Sequence, residues 1–289
     1  MSAQAYVNGS YLPLREAGVA IEDRGLQFGD SVYEVVAVLN RTLLDWDRHL
    51  WRLRRNLAAL LIDGVPGPAA LDRIAHTLIA RARLTDGLLY IQVTRGTARR
   101  DHPFPGNPRP TLVMTARAFD FRKRLAQQQT GVAVVSLPDP RWKRCDIKTT
   151  NLLGAVLAKE DARRDGAFEA MFVADDGTVT EGASTNMWMV DSAGRLVTHP
   201  LSAAILGGVA RETLIRLAQA AAMEVEERPF TLDEARAAPE LFLTSTTAPV
   251  VPIVTLDGKP IGAGVPGRVT GQLVAMMWAE IARQTGWRP

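Results

Sequence analysis

Residues 145–160, CDIKTTNLLGAVLAKE, and residues 168–190, FEAMFVADDGTVTEGASTNMWMV, are the stretches that decide the fold of this chain. In the first, Lys148 stands between the apolar Ile147 and a Thr-Thr-Asn run, after which leucines and alanines predict a helix over 152–162. The second stretch predicts a strand over 168–174 that turns at Asp-Asp-Gly and leads to Glu181. We therefore expect a helix preceded by one lysine, and a strand and turn followed by one glutamate.

Lysine is rare in this chain, so a lysine-dependent chemistry has few candidates. Of the 34 lysines and arginines, five are lysines: Lys123, Lys143, Lys148, Lys159 and Lys259. Lys123 and Lys259 lie in a charged run and a turn, and Lys159 lies on the polar face of the predicted helix, which are ordinary solvated settings. Lys148, at the junction of an apolar residue and a helix start, is expected to be partly desolvated, which suits Schiff-base chemistry. A helix-flanking surface lysine is the alternative that spacing leaves open.

Length and composition limit the class of protein. A chain of 289 residues predicts one large or two moderate domains. The pI of about 9.2 accompanies a net charge of only +3, because arginines are balanced by acids, and no long basic tract is present; a nucleic-acid partner is not expected. Without a signal peptide or a membrane-length apolar run, we expect a cytoplasmic protein with no membrane partner and no metal site. The lone Cys145 has no histidine base nearby in sequence, so a structural role is favoured.

The N-terminal part predicts a sheet accompanied by two helices. Residues 5–13 predict a hairpin around an Asn-Gly turn, and a glycine-punctuated loop then leads into a β-branched strand that contains Tyr33. Leucines at helical spacing follow Asp47, the predicted N-cap, and a second helix follows Pro68. Two further strands are predicted over 88–94 and 111–116. Tyr33 by itself is equally well explained as an aromatic residue of the core.

Residues 121–130 predict the boundary between two domains. This segment contains an Arg-Lys-Arg run and three glutamines and shows no strand alternation, so we predict an interdomain linker there. The predicted domains are then residues 1–120 and residues 131–289, and a strand over 132–137 begins the second one.

The loop between the strands 88–94 and 111–116 carries an arginine and a histidine two residues apart. Arg100 and His102 lie in a segment rich in proline and charge between two good strands, where binding residues tend to occur. Two solvated loop residues are one interpretation. A pair that projects together to bind an anion is the other.

The two opening stretches resemble a known family. IKTTNLLGAVLAK at 147–159, followed by TVTEGASTN at 178–186, resembles the class IV aminotransferases, pyridoxal-phosphate enzymes that include D-amino acid and branched-chain aminotransferases. The resemblance covers nearly the whole chain. It implies that Lys148 is the Schiff-base lysine and that Glu181 pairs with the pyridine nitrogen of the cofactor. From its position alone, Glu181 could also be an exposed carboxylate at the end of a strand.

Three more segments carry the resemblance to the substrate and phosphate sites. DRGLQFGDSVYEV at 23–35 resembles the family segment in which the tyrosine, here Tyr33, lines the substrate pocket. His49-Leu50-Trp51-Arg52-Leu53 resembles the family pattern whose arginine grips the cofactor phosphate, which implies that role for Arg52. VTRGTARRDHPFP at 93–105 resembles the D-amino acid aminotransferases in particular, which implies that Arg100 and His102 trap the substrate carboxylate together with Tyr33.

Two segments in the second half resemble the family's phosphate-binding elements. The run at 206–211 opens a helix, and the resemblance implies that the amides of Val209 and Ala210 bind phosphate while Leu206 packs on the cofactor ring. Ala210 stands where the family has a threonine, which removes a hydroxyl contact. Thr246 and Thr247 resemble the family's hydroxyl-rich phosphate loop, although Ala248 and Pro249, which follow them, depart from its usual Ser-Glu.

Taken together, the resemblance implies an α+β, two-domain fold type IV enzyme with a smaller N-terminal α/β domain and a larger β-rich C-terminal domain. It implies pyridoxal 5′-phosphate as cofactor and transamination between a D-amino acid, such as D-alanine, and a 2-oxo acid. It also implies a homodimer, because family members complete each active site with loops of a partner subunit. Alternatives on this fold are a branched-chain or (R)-amine transaminase and an aminodeoxychorismate lyase. A catalytically silent binding protein is a further alternative, against which the joint presence of Lys148 and Glu181 argues.

Overall fold

The structure, a computed structural model, describes residues 4–288, and these form two compact units. The first unit contains the chain up to Asp120 together with Ile147–Asn151 and Gln284–Trp287. The second consists mainly of Phe121–Asp146 and Leu152–Arg283. Each unit has its own hydrophobic clusters.

An antiparallel sheet and three α-helices make up most of the first unit, with a short 3-10 helix at Leu14–Glu16. Its elements are β1 (Gln4–Val7), β2 (Ser10–Pro13), α1 (Arg24–Phe28), β3 (Ser31–Leu39), β4 (Thr42–Leu43), α2 (Trp46–Ala59), α3 (Pro68–Ala82), β5 (Gly87–Thr94) and β6 (Thr111–Ala118). The six strands lie in the order β2-β1-β6-β5-β3-β4, and every neighbouring pair is antiparallel. The predicted hairpin is confirmed, with Asn8 and Gly9 in its turn.

The helices α2 and α3 bury their leucine faces in the core of the first unit. Leu50, Leu53 and Leu57 of α2 are buried, as the helical spacing predicts. The N-cap prediction was wrong by two residues. The helix begins at Trp46, because the carbonyl of Asp45 accepts the first helical hydrogen bonds, and Asp47 lies inside the first turn.

The segment Ile147–Asn151 joins the sheet of the first unit. The amide of Tyr33 donates to the carbonyl of Lys148 (2.9 Å), Thr149 forms a β-bridge with Val32, and Ile147 is buried in the core. Lys148 therefore lies on a strand-like segment beside β3. The sequence placed it at a helix start, whereas the helix begins only at Leu153, after Leu152 as N-cap.

A mixed sheet dominates the second unit. Its strands are β7 (Val132–Pro138), β8 (Glu169–Val173), β9 (Val179–Gly182), β10 (Asn186–Val190), β11 (Leu196–Thr198), β12 (Val225–Glu227), β13 (Glu240–Ser245), β14 (Ala248–Leu256) and β15 (Lys259–Pro260). Their order is β12-β11-β10-β13-β14-β7-β8-β9, with β15 paired to β14. The pairs β11–β12, β14–β7 and β7–β8 are parallel, and the remaining neighbours in this order are antiparallel.

The helices of the second unit cover this sheet. They are α4 (Arg122–Thr130), α5 (Leu153–Arg164), α6 (Val209–Ala220), α7 (Leu232–Ala237) and α8 (Arg268–Thr285), the last two residues of which fall in the first unit. Leu214 of α6 and Leu273 of α8 share a cluster with Trp188 and Phe242, whose rings stack at 5.4 Å between centroids. Alternate side chains of these strands thus point to the helices on one face of the sheet.

The linker predicted over 121–130 was wrong, because this segment is the helix α4 and belongs to the second unit. Gln128 is buried, donates from Nε2 to the carbonyl of Val250 (2.7 Å) and accepts at Oε1 from the indole of Trp278 (2.8 Å). A polar run without strand alternation is compatible with a half-buried helix as well as with a linker. The two hydrogen bonds of Gln128 attach this helix to the second unit.

Candidate active site

Lys148 lies against the ring of Tyr33. Its side chain is half-buried, and Nζ is 4.2 Å from the Tyr33 ring centroid, within range of a cation–π interaction. Tyr33 projects from β3 and stacks on Tyr90 at 5.7 Å between centroids. The structure therefore brings two of the predicted site residues together, and it holds the backbone of both through the 2.9 Å hydrogen bond from Tyr33 to Lys148.

Two reactive side chains near this stretch have structural partners. Lys159 is not a simply solvated lysine, as the sequence suggested, because its Nζ pairs with the buried Glu169 at 3.0 Å. Burial raises the pKa of the Cys145 thiol to about 11, and its Sγ donates to the carbonyl of Trp142 (3.0 Å). A raised pKa favours the protonated thiol at neutral pH, which fits the structural role expected of Cys145.

Arg100 and His102 are exposed on the β5–β6 loop, residues 95–110. Both pack on the ring of Phe28: the Arg100 guanidinium carbon lies 5.1 Å from its centroid, and the His102 ring centroid lies 5.7 Å away. Within residues 4–288, no hydrogen bond or ring contact joins either residue to Tyr33. The structure thus places Arg100 and His102 side by side on one surface, and it places Tyr33 with Lys148.

Arg52 is buried on α2 and forms a two-pronged ion pair with Glu34 of β3. Its Nε and Nη2 each donate to one carboxylate oxygen of Glu34 at 2.7 Å, and His49 Nδ1 lies 2.7 Å from Glu34 Oε2. Burial alone would raise the pKa of Glu34, but Arg52 and His49 outweigh it and lower the pKa to about 2. Burial lowers the pKa of His49, against its hydrogen bond to Glu34. A fixed carboxylate therefore holds the guanidinium plane in one orientation.

Glu181 is buried at the end of β9, so the alternative of an exposed strand-end carboxylate is wrong. Its Oε2 accepts from the amide of Leu206 (3.0 Å) and from Nδ2 of Asn186 (3.1 Å), while Oε1 accepts from Nη1 of Arg141. The backbone of Leu206 is further held by Asn186, whose Nδ2 also donates to its carbonyl (2.8 Å). Two predicted site residues, Glu181 and Leu206, are thus in direct contact.

Arg141 is a site residue that the sequence did not indicate. Beyond Glu181, it donates to Asp139 (2.7 Å) and to the carbonyl of Ala204 (3.1 Å). Burial opposes its charge, but Asp139 and Glu181 outweigh this and raise the pKa of Arg141 further, and the same pairing lowers the pKa of Asp139. The only signal in the sequence is an Asp-Pro-Arg run after β7, and such a run is common in ordinary surface turns.

The start of α6, three residues after Leu206, offers backbone donors. The helix begins at Val209 after Gly208, whose φ of −68° and ψ of 135° are extended, and no side chain caps it. The first amides of a helix, here those of Val209 and Ala210, have no partner within the helix. A Cβ at Gly208 would lie 2.1 Å from Oδ1 of Asn186, so only glycine allows this close approach.

Thr246 and Thr247 form the two-residue turn between β13 and β14 and are half-buried. The turn is held by the hydroxyl of Ser245, which accepts from the amide of Ala248 (3.1 Å), and by Arg124, whose Nε donates to the carbonyl of Thr247 (3.1 Å). A tight turn anchored on both sides can present both hydroxyls to one anion.

The described residues 4–288 show no helix long and apolar enough to cross a membrane, and no group of three histidine, cysteine, aspartate or glutamate side chains arranged to hold a metal ion.

Comparison with known proteins connects these features to one family. The model of amino-transferase class IV matches residues 31–256. A D-alanine aminotransferase of Bacillus licheniformis is 40% identical over 278 residues, which are 96% of this chain and 97% of that protein.

Solved structures agree on the fold. The branched-chain amino acid aminotransferase of Escherichia coli has a TM-score of 0.90 at 22% identity, covering 100% of this chain and 97% of that one. A hypothetical aminotransferase of Mycobacterium tuberculosis in its PLP-bound form gives 0.85 at 20% identity, covering 97% and 99%. These likenesses and the observed helices and mixed sheet confirm the predicted α+β fold. The chain belongs to the class IV aminotransferases.

Proposed function

We propose that this aminotransferase moves an amino group between a D-amino acid, D-alanine or a close analogue, and a 2-oxo acid, with pyridoxal 5′-phosphate as cofactor. The observation that carries the proposal is the pair Arg100 and His102, side by side on an exposed loop, in a chain whose lysine lies against Tyr33. The 40% identity to a D-alanine aminotransferase along 96% of the chain supports the same substrate class.

The donor set of the chain fits pyridoxal phosphate. An anionic phosphate suits a buried arginine, Arg52, the amides of Val209 and Ala210 at a helix N-terminus, and the hydroxyls of Thr246 and Thr247. A protonated ring nitrogen suits the buried carboxylate of Glu181, and the aldehyde suits the amine of Lys148. When bound, the cofactor supplies a ring that takes up the electron pair released at the substrate α-carbon.

Lys148 has two tasks in this proposal. Its Nζ is the amine that would hold the cofactor covalently. When free, the same amine would act as the base that takes the proton from the substrate α-carbon and would hold that proton as an ammonium until it is returned. The Tyr33 ring, 4.2 Å from Nζ, limits where the amine can move.

Glu181 and Arg141 keep a proton on the ring nitrogen. The Glu181 carboxylate would accept a hydrogen bond from the protonated ring nitrogen, because its negative charge favours that form. Arg141, Asn186 and the amide of Leu206 donate to this carboxylate, so it is held in one position as an anion. The side chain of Leu206 would contact the ring.

Tyr33, Arg100 and His102 bind the substrate α-carboxylate. A permanently charged guanidinium with two hydrogen-bonding partners outcompetes water for a carboxylate. Because Arg100 and His102 are exposed and do not contact Tyr33 within residues 4–288, we propose that a homodimer forms and that the loop of one subunit serves the site of the other. Fixing the carboxylate on one side fixes which face of the substrate carries the α-proton, and this selects D-amino acids.

The test is a panel of D- and L-amino acids assayed with pyruvate and with 2-oxoglutarate, read by chiral chromatography. We expect D-alanine and its analogues to react and the L-isomers to react far more slowly. Faster turnover of L-amino acids would favour a branched-chain enzyme, reaction of amines that lack a carboxylate would favour an amine transaminase, and product release without a 2-oxo acid acceptor would favour a lyase. Each of these outcomes contradicts the proposed substrate class.

A further inference from the structure

Arg24, the first residue of α1, is a buried arginine to which the proposed reaction gives no task. Only 3% of it is exposed. Its Nε donates to Oδ2 of Asp30 at 2.8 Å, so the charge is balanced inside the unit. A buried guanidinium must also satisfy its remaining N–H groups, and their partners show what it holds in place.

The remaining N–H groups of Arg24 point to three successive carbonyls of the β5–β6 loop. Nη1 donates to the carbonyls of Asp101 (2.6 Å) and Pro103 (3.3 Å), and Nη2 donates to the carbonyl of His102 (3.2 Å). These three residues directly follow Arg100. One rigid, planar side chain therefore determines the backbone position of the segment that carries both Arg100 and His102.

Asp30 connects this contact to the base of the loop. Its carboxylate also accepts from Arg95, with Nε to Oδ2 at 2.7 Å and Nη2 to Oδ1 at 3.0 Å, and Arg95 is the first residue of the loop. Arg95 in turn donates to the carbonyls of Leu60 (2.6 Å) and Leu61 (2.9 Å). One carboxylate thus bridges two buried arginines, one at the start of the loop and one beneath its centre.

Phe28, at the end of α1, supports the side chains of the same loop. Its ring contacts the guanidinium of Arg24 at 4.7 Å, that of Arg100 at 5.1 Å, and the ring of His102 at 5.7 Å. Residues of α1 therefore hold both the backbone and the side chains of this segment.

We propose that Arg24 is a positioning residue that holds the β5–β6 loop in the conformation in which Arg100 and His102 bind the substrate carboxylate. The inference rests on the proposed function, because it assigns a task to those two residues. The physical reason is preorganisation: a loop ordered on folding does not have to be ordered again on substrate binding, so the carboxylate binds more tightly. Lysine cannot replace Arg24, because a single ammonium cannot reach Asp30 and three carbonyls at once.

The test compares Arg24→Gln and Arg24→Lys with wild type, using the full-length enzyme loaded with pyridoxal phosphate. Arg24→Gln should fold, because Asp30 keeps Arg95 as its counter-ion. Arg24→Lys keeps the charge and serves as the second variant. Arg81→Gln is the matched control, since Arg81 is exposed and its guanidinium lies on the ring of Tyr11, away from the β5–β6 loop.

Two readouts are needed. Arg99 and Arg100 are both exposed, so trypsin can cleave the loop after either residue. This cleavage should become about tenfold faster in the Arg24 variants, because a less ordered loop fits the active site of the protease more readily. KM for D-alanine and for the 2-oxo acid should rise by about 10- to 100-fold with kcat at saturation little changed, as expected when a binding group is misplaced. Cofactor content and both readouts should stay at wild-type values in Arg81→Gln.

Unchanged cleavage in both Arg24 variants would overturn the proposal, and so would faster cleavage with unchanged KM values. A uniform increase of cleavage along the chain would show a general loss of stability and would also count against it. If the wild-type enzyme does not transaminate D-alanine at all, the proposed function fails, and the cleavage rates alone then test the role of Arg24. Cleavage of the Arg24 variants at the wild-type rate would reject that role as well. Faster cleavage of the variants at the loop would support it.

Discussion

Replacing Glu34 by glutamine should strongly destabilise the first unit, because the buried Arg52 would keep its charge but lose the carboxylate that accepts two of its N–H groups. The pKa of Glu34 is lowered from 4.5 to about 2. At 1.36 kcal/mol per pKa unit, this difference corresponds to about 3 kcal/mol of folding free energy. Removing one partner of a buried ion pair typically costs about 3–5 kcal/mol of folding free energy, a range that includes the value obtained from the pKa. We therefore expect Glu34→Gln to lower the free energy of unfolding at pH 7 by about 3 kcal/mol.

The pH dependence of this loss has a definite sign. A carboxyl group with a lowered pKa stabilises the fold above its unfolded value, about 4.5, and this stabilisation is lost as the pH falls through about 2. The difference between wild type and Glu34→Gln should therefore be nearly constant from pH 7 to pH 5 and should shrink toward pH 3. Urea unfolding of the two proteins at one protein concentration, followed by far-ultraviolet circular dichroism at pH 7, 5 and 3, measures it.

Glu160 provides a matched control. Its pKa is also about 2, but it pairs with Arg163 and Arg164 at the surface, and its side chain is 39% exposed. Water screens such pairs, so Glu160→Gln should be much less destabilising than Glu34→Gln. A loss below about 1 kcal/mol for Glu34→Gln at pH 7, or equal losses in the two variants, would refute the assignment of Glu34 as the buried counter-ion of Arg52.

Three further outcomes are expected. Purified protein should be yellow, and borohydride reduction followed by peptide mapping should place the cofactor on Lys148; Lys148→Ala should abolish this link and Lys143→Ala should keep it, whereas a cofactor on any other lysine would disprove the assignment. Sedimentation should show a homodimer, and an active monomer would exclude the shared loop. Arg100→Leu should raise KM for D-alanine by a factor equivalent to about 1.5–3 kcal/mol while cofactor binding is retained; unchanged kinetics would remove Arg100 from the carboxylate site.

Part of the proposed site could be read from local sequence, because short patterns carry it. Lys148 was singled out by the scarcity of lysine and by its apolar-to-polar setting, the role of Glu181 came from the resemblance of its segment to a family motif, and the Asn8-Gly9 hairpin was predicted from its turn residues. The strand predicted over 132–137 is observed at Val132–Pro138 for the same reason. Alternation and turn chemistry act over a few residues, so they survive in the folded chain.

The partners of these residues were decided only by the tertiary structure. Arg141 and Glu181 are 40 residues apart in the sequence, and Arg24 and Asp101 are 77 residues apart. Helical and strand periodicity relate only residues within one element, so neither contact could be predicted from a local pattern. The same holds for the segment 121–130, which is a helix because Gln128 finds buried partners more than 100 residues later in the chain. The sequence by itself determined which chemical groups are available and where strands and turns occur. The packing of distant segments determined which charge neutralises which, because a buried ion must find its partner wherever the fold brings one within hydrogen-bonding distance.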